Sequence, residues 1–262
     1  MAARASGSNE RQQQPAERTA FIPGPRLCGW LERFAASHGA VQEHADDGAV
    51  QLRAADGAVQ LRAADGAVQL RAADGAVHLR AADGAVHLRA ADGATALLRA
   101  PWPVDGRPGR GTDAIERLAS LASQERRLGI ILVRRGGYAV GIASGGELIA
   151  SKVGSRYVQS RSSAGGSSQQ RFARRRENQA NALTEAVAGH TAAIFAGNVF
   201  EYLVLGGDSA LAGTVLESPA LKDYATRKQL PFLAVADPTA AVLRKAAAVA
   251  CSVRIKVTDP PL

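Results

Sequence analysis

A nine-residue repeat limits the fold of this chain more than any other feature. The unit AADGAVQLR recurs so that Asp-Gly stands at positions 47, 56, 65, 74, 83 and 92. Both central positions of a type I′ turn need positive φ, which Asp and Gly tolerate, so Asp-Gly between alternating strands signals a hairpin. Nine residues minus a two-residue turn leave seven for each strand. With Asp56-Gly57 as the turn, Ala55 opposes Ala58, Arg53 opposes Gln60 and Leu52 opposes Leu61. Every Val and Leu then falls on one face, and the Arg, Gln and His residues fall on the other. The period therefore predicts an up-and-down antiparallel meander. His78 and His87 take the Gln slot on its polar face, where solvated side chains are expected rather than metal ligands.

The Val/Leu face needs a cover. In RLCGWLERFAASHG, Leu27, Trp30, Leu31, Phe34 and Ala35 follow the i, i+3, i+4, i+7, i+8 pattern of an amphipathic helix ending near Gly39. Residues 1–20 are polar, rich in Gln and Arg, and without apolar periodicity, so they are expected to be disordered. Residues 21–100 form the small helix-plus-repeat unit, and the Pro/Gly-rich stretch 101–111 reads as a linker. Beyond it, residues 112–262 change to mixed α/β character. A helix runs from Thr112 or Asp113 to Arg127, followed by strands GIILVRR, YAVGIA and GELIASKV and a long helix to about Ala196. Strand EYLVLGG, a helix, strand PFLAVA, helix PTAAVLRKAAAVA and closing strand SVRIKV complete the chain. The fold class is α+β: a mixed sheet flanked by helices, preceded by the small helix and meander.

Cys28 and Cys251 lack any Cys/His spacing for zinc and are expected as core thiols, with no metal and no cofactor. The N-terminus lacks a signal-peptide core and no run has the length of a membrane helix, which places the chain in the cytoplasm without a membrane partner. Net charge is +8, and it is clustered rather than scattered, which points to a polyanionic partner such as nucleic acid. From Lys152 to Arg176 there are seven Lys or Arg and no Asp or Glu. This stretch reads GSRYVQSRSSAGGSSQQRFARRRENQ from Gly154 to Gln179. On a helical wheel Phe172, Leu183, Val187 and Ile194 form the buried stripe, while Arg171, Arg174 and Arg175 face outward. Arg156 and Arg161 flank the preceding loop. These five arginines are the candidate RNA-phosphate ligands.

Gly165 and Gly166 allow positive φ and close backbone approach to a substrate, and Ser167 or Ser168 can cap the helix. From Lys152 to Arg176 there is no His, Cys or carboxylate, and the chain has no Walker A, GxSxG or HExxH motif. A glutamine amide cannot serve as a general base, but it can orient a water and donate to a developing oxyanion. Such a loop suits a protein that completes an RNA active site. With the preceding LIASKV and the α/β pattern after it, this stretch resembles the release-factor-like peptidyl-tRNA hydrolases of ribosome quality control. The likeness is to their bacterial VLRF branch, related to the middle domain of eukaryotic class 1 peptide-chain release factors.

That resemblance implies a catalytic Gly-x-x-Gln loop acting on the ester between nascent peptide and tRNA. Gly166-Ser167-Ser168-Gln169 matches it and gives Gln169 the catalytic role, with Gln170 as the fallback. It also implies the ribosome (large subunit and rRNA) and peptidyl-tRNA as partners, and not DNA. Two serines interrupt the contiguous Gly-Gly-Gln of true release factors, so the loop geometry must differ. A nuclease acting on the tRNA 3′ end, or a non-enzymatic ribosome- or RNA-binding module, are the alternative functions. The repeat carries no group for chemistry. Deleting two units, residues 57–74, preserves strand direction and facing, so peptide release by that variant is expected to be near normal.

Overall fold

The structure is a computed structural model that describes residues 16–43, 72–73, 76–77, 85–155 and 168–260; within these, residues 168–173 and Arg176 are described as backbone. Two five-stranded sheets carry the fold. The first has the order β1-β12-β6-β5-β2, formed by Glu17–Pro23 (β1), Val41–Glu43 (β2), Ala85–Ala90 (β5), Thr95–Arg99 (β6) and Ser252–Thr258 (β12). The pairs Ala72–Ala73 (β3) and Ala76–Val77 (β4) form a separate two-stranded ladder. The second sheet has the order β11-β10-β7-β8-β9, formed by Arg127–Arg134 (β7), Gly137–Ser144 (β8), Glu147–Ser155 (β9), Tyr202–Gly207 (β10) and Lys228–Gln229 (β11). It is mixed: β10 runs parallel to β7 and β11, whereas β7-β8 and β8-β9 are antiparallel.

Helix α1 (Leu27–His38) covers the first sheet with Leu27 and Phe34 fully buried and Trp30 and Leu31 packed beside them. Facing them are Val86, Leu88 and Ala90 of β5, so here the apolar face of the repeat meets the helix as its pattern predicts. The hairpin turn differs from expectation. Ala90 pairs with Ala94 and Arg89 with Thr95, enclosing three residues, Ala91-Asp92-Gly93, with Gly93 at φ 94°. A three-residue loop with glycine in the left-handed region replaces the two-residue turn, because Asp92 accepts from the Ala94 N–H and from His38 of α1. In β3-β4, Ala73 does pair with Ala76, the two-residue register. The Asp-Gly positions 47, 56, 65, 74 and 83, and His78, lie outside the described residues, whereas His87 sits on the outward face of β5.

The second sheet is sandwiched. Helix α3 (Ser168–Phe195) and helix α4 (Ser209–Leu216) cover one face, where Ile131, Val133, Tyr138 and Val140 meet Leu183, Val187, Phe195, Ala212 and Val215. Helix α6 (Ala240–Ala250) covers the other, where Ile130, Leu132 and Ala139 meet Leu243, Ala246 and Ala247. Burial on both faces explains why β7 and β8 read as continuous apolar runs. Short α5 (Lys222–Ala225) precedes β11.

Several expectations are corrected. Residues 17–20, expected to be disordered, belong to β1, whose backbone is paired along its length to β12 from Glu17↔Thr258 to Pro23↔Ser252. Strand SVRIKV, expected to close the sheet of the C-terminal unit, lies instead in the first sheet between β1 and β6. PFLAVA contributes a single bridge, Gly206↔Leu233, rather than a strand. Helix α2 (Ala114–Ala122) begins as expected, with the Asp113 carboxylate accepting from the Glu116 N–H at 2.7 Å, but ends five residues short of Arg127. Cys28 is exposed and Cys251 half-buried, where burial pushes its thiol up to about 11.

The Pro/Gly stretch is tied into both layers. Trp102 is 2% exposed and donates its indole N–H to the Leu121 carbonyl at 2.9 Å. The Arg126 guanidinium, also 2% exposed, lies 5.9 Å from the Trp102 ring centroid and 5.7 Å from that of Tyr202. It donates to Gln124 Oε1, to Glu201 at 2.9 Å and to the Tyr202 hydroxyl at 3.1 Å. Arg107 pairs with the same Glu201 carboxylate, and the Tyr202 hydroxyl donates to Asp105 at 2.8 Å. Burial pushes the Glu201 carboxyl up, but the hydrogen bonds and charges of Arg107 and Arg126 together hold it below the usual carboxylate range.

Depressed in the folded state, Glu201 contributes stability that is present above its unfolded value, about 4.3, and lost as pH falls through the folded one. Glu201→Gln is therefore expected to flatten the acid limb of a Tm-versus-pH profile. Arg126→Ala, which leaves the two rings and three acceptors without their cation, is expected to cost about 3–5 kcal/mol in a denaturant titration at neutral pH.

Candidate functional site

Strand β9 and helix α3 are the two arms that frame residues 156–167. Gly165, Gly166, Arg156 and Arg161 lie in that interval, outside the described residues. Gln169 and Gln170 lie in the first turn of α3, and Arg171 follows in the same turn. Arg174 and Arg175 are exposed, as the helical wheel expects. Leu183 and Val187 are fully buried and Ile194 partly so, which confirms three positions of the stripe; the Phe172 side chain lies outside the described residues.

Among the described side chains of α3, none before Leu183 is buried. At 1.5 Å rise per residue, the backbone from Ser168 to Leu183 spans about 22 Å. Gln169 thus stands about four helical turns ahead of Leu183, with Gln179, Ala180 and Ala182 half-buried between them. The described side chains on those turns include Arg174 and Arg175.

The other arm is held by an aromatic lock. Tyr138 of β8 pairs with Gly154 of β9, and Gly137 with Ser155, the last strand residue before the loop. A Cβ at Gly154 would overlap the Tyr138 ring, so only glycine lets that ring lie flat across the strand. On its far side the ring stacks on His190 of α3, with centroids 5.6 Å apart and planes at 17°. Tyr138 therefore joins the two arms of the loop through one ring.

This end of the sheet also gathers groups that spacing alone did not reveal. The β7-β8 turn places exposed Arg134 and Arg135 beside Gly137 and hence beside Ser155. Arg134 donates to the Val235 carbonyl at 2.9 Å. Parallel strands β7 and β10 end here too, and Asp208 caps α4 by accepting from the Ala210 and Leu211 N–H groups at 3.1 and 3.2 Å. The crevice beyond the carboxyl ends of parallel strands is the usual ligand position of such sheets. The only signal for the arginines in the sequence is RRGGY between two apolar runs, which marks a turn but not its neighbour.

Among the described residues, no group of three or more His, Cys, Asp or Glu side chains could hold a metal ion, and no helix is long and apolar enough to cross a membrane. The arrangement offers cations, backbone N–H groups and amides. It can bind phosphates and position a neutral nucleophile.

A mixed sheet flanked by helices, one of them long and bearing exposed arginines, is the architecture of a release-factor-like chain. The family model for the Actinobacteria/chloroflexi VLRF1 release factor matches residues 126–256, half of the chain, and the chain belongs to that family. Similar solved structures include the Vms1 mitochondrial localization core, 12% identical with a TM-score of 0.38 over 65% of this chain and 75% of that one. An archaeal translation termination factor, aRF1, is 17% identical with a TM-score of 0.33 over 64% of this chain and 49% of that one. Archaeoglobus fulgidus Pelota is 14% identical with a TM-score of 0.27 over 90% of this chain and 62% of that one. No curated protein matches the chain.

Gly154→Ala is expected to push Tyr138 off its stack and lower stability by about 1–3 kcal/mol. In a Tyr138→Ala background the same change is expected to cost less than half as much, a coupling that a double-mutant cycle of thermal melts measures directly.

Proposed function

We infer that this chain is a peptidyl-tRNA hydrolase that frees nascent peptides from stalled ribosomes. The observation that carries the reading is the position of Gln169: it lies on the first turn of a helix that extends about 22 Å ahead of Leu183, its first described buried side chain, in a chain of the release-factor family. A helix of that kind suits delivery of a small polar group into a recess of another macromolecule. In this reading Arg156, Arg161, Arg171, Arg174 and Arg175 hold phosphates of rRNA or tRNA on the large subunit, and the work is done in the cytoplasm.

The chemistry is ester hydrolysis. Water adds to the carbonyl carbon of the peptidyl ester, the bond to the tRNA 3′ oxygen breaks, and the peptide leaves with a free carboxyl while the tRNA recovers its hydroxyl. The Gln169 amide orients that water and donates to the oxyanion as it forms, and Gly165 and Gly166 let the backbone approach without a Cβ in the way. The proton is not taken by Gln169, whose amide has no basicity to use.

Release from stalled ribosome-nascent chain complexes tests this. Gln169→Ala is expected to bind as the wild type does but to release peptide at saturation about 100-fold more slowly, because its interactions belong to the transition state. Arg174→Ala with Arg175→Ala is expected to raise the concentration needed and to lower the salt slope of binding by about one unit for each phosphate no longer neutralised. The freed tRNA should end in an intact CCA; a truncated end, or unchanged release by Gln169→Ala, would overturn the assignment.

A further inference from the structure

The first sheet buries one face under α1 and α2, and the described residues on its other face carry a cluster of cations. The strand registers set Arg254 of β12 directly across from Arg99 of β6 and beside Phe21 of β1, which is 40% exposed. Lys256 and His87 share the next row across the sheet, and Arg89 of β5 stands in the row beyond. Among the described residues of these strands, Glu17 is the one carboxylate on this face, and it pairs with Lys256 at 2.7 Å. Arg254 and Arg89 are exposed and have no ion-pair partner among the described residues.

Arg254 and Arg99 stand directly opposite one another across the ladder. Cations spread over a flat sheet with an exposed aromatic among them match the requirements of single-stranded RNA, whose phosphates take the cations while a base stacks on the ring. An anionic membrane asks for something different, an amphipathic element with a broad apolar face. Phe21 is the only large, substantially exposed apolar side chain that these five strands carry among the described residues.

We propose that the outward face of this sheet binds single-stranded RNA, with Arg254 and Arg89 on phosphates and Phe21 stacked on a base. Arg254 and Arg89 are separated by two strands and four residues, roughly 16 Å, so one strand of RNA bridges them over several nucleotides. This surface is separate from the basic helix α3 and does not depend on the chemistry at Gln169. It gives the protein a second RNA anchor on the unit that carries the repeat.

The test is fluorescence anisotropy of the full chain with a labelled uridine oligomer across a salt series. R89Q/R254Q is expected to lower the slope of log affinity against log salt by about 1.4, at about 0.7 for each phosphate that the variant no longer neutralises. Its Tm should be unchanged, so that the lower slope reports lost phosphate contacts rather than unfolding. Phe21→Ala should weaken binding with the slope unchanged. An R89Q/R254Q slope equal to the wild type, a lowered Tm in that variant, or wild-type binding to phosphatidylserine vesicles in preference to the oligomer would each overturn the proposal. Normal release by Gln169→Ala would count against the catalytic reading alone and leave this result standing.

Discussion

The Arg126 guanidinium, set against the mutually stacked Trp102 and Tyr202 rings, is the group on which the rest of the arrangement depends. One guanidinium joins the Pro/Gly stretch, the start of β7 and the start of β10, while Glu201 and Asp105 balance the surrounding charge. A planar cation with several donors is suited to this, since it lies within cation-π reach of both rings and still donates to several acceptors in its own plane. A lysine ammonium lacks that planar fork of five donors. Through Trp102 and its bond to the Leu121 carbonyl, the same cluster reaches α2, and α2 packs on the first sheet. The two sheets are thereby held against each other at the end opposite the loop.

That placement separates two mechanical tasks. The charged cluster anchors one end of β7 and β10; the other end collects the β7-β8 turn, the start of α4, the end of β9 and the forward reach of α3. Phe195 of α3 packs against Phe200 at the anchored end, with ring centroids 4.6 Å apart. The long helix is thus fixed at its C-terminal half by apolar burial and left to reach outward at its N-terminal half.

The Tyr138 lock has the same logic at smaller scale. It joins β9 and α3 by a ring laid over a glycine, so one side chain of β8 connects the two arms that frame residues 156–167. The repeat region follows the opposite logic. Its last hairpin is needed to build the first sheet, since β5 and β6 supply much of the apolar face that α1 covers.

Apolar periodicity alone determined α1, the three strands of the β7-β9 meander and the buried stripe of α3, because each depends on side chains a fixed few residues apart. The exposure of Arg174 and Arg175 was equally legible, as was the cap of α2, where Asp113 and Glu116 stand three apart. Tertiary structure decided what pairs with what. ERTAFIP has the composition of a polar tail and becomes β1 only because β12 offers it a full ladder. β12 joins the first sheet, since a strand of alternating Val, Arg, Ile, Lys and Val suits a sheet with one buried and one open face, unlike the doubly buried second sheet. The Asp92 turn takes a third residue because His38, remote in sequence, holds the carboxylate. Arg134, Arg135, Tyr138 and Gly154 became recognisable as one site only through cross-strand register, which no local spacing encodes.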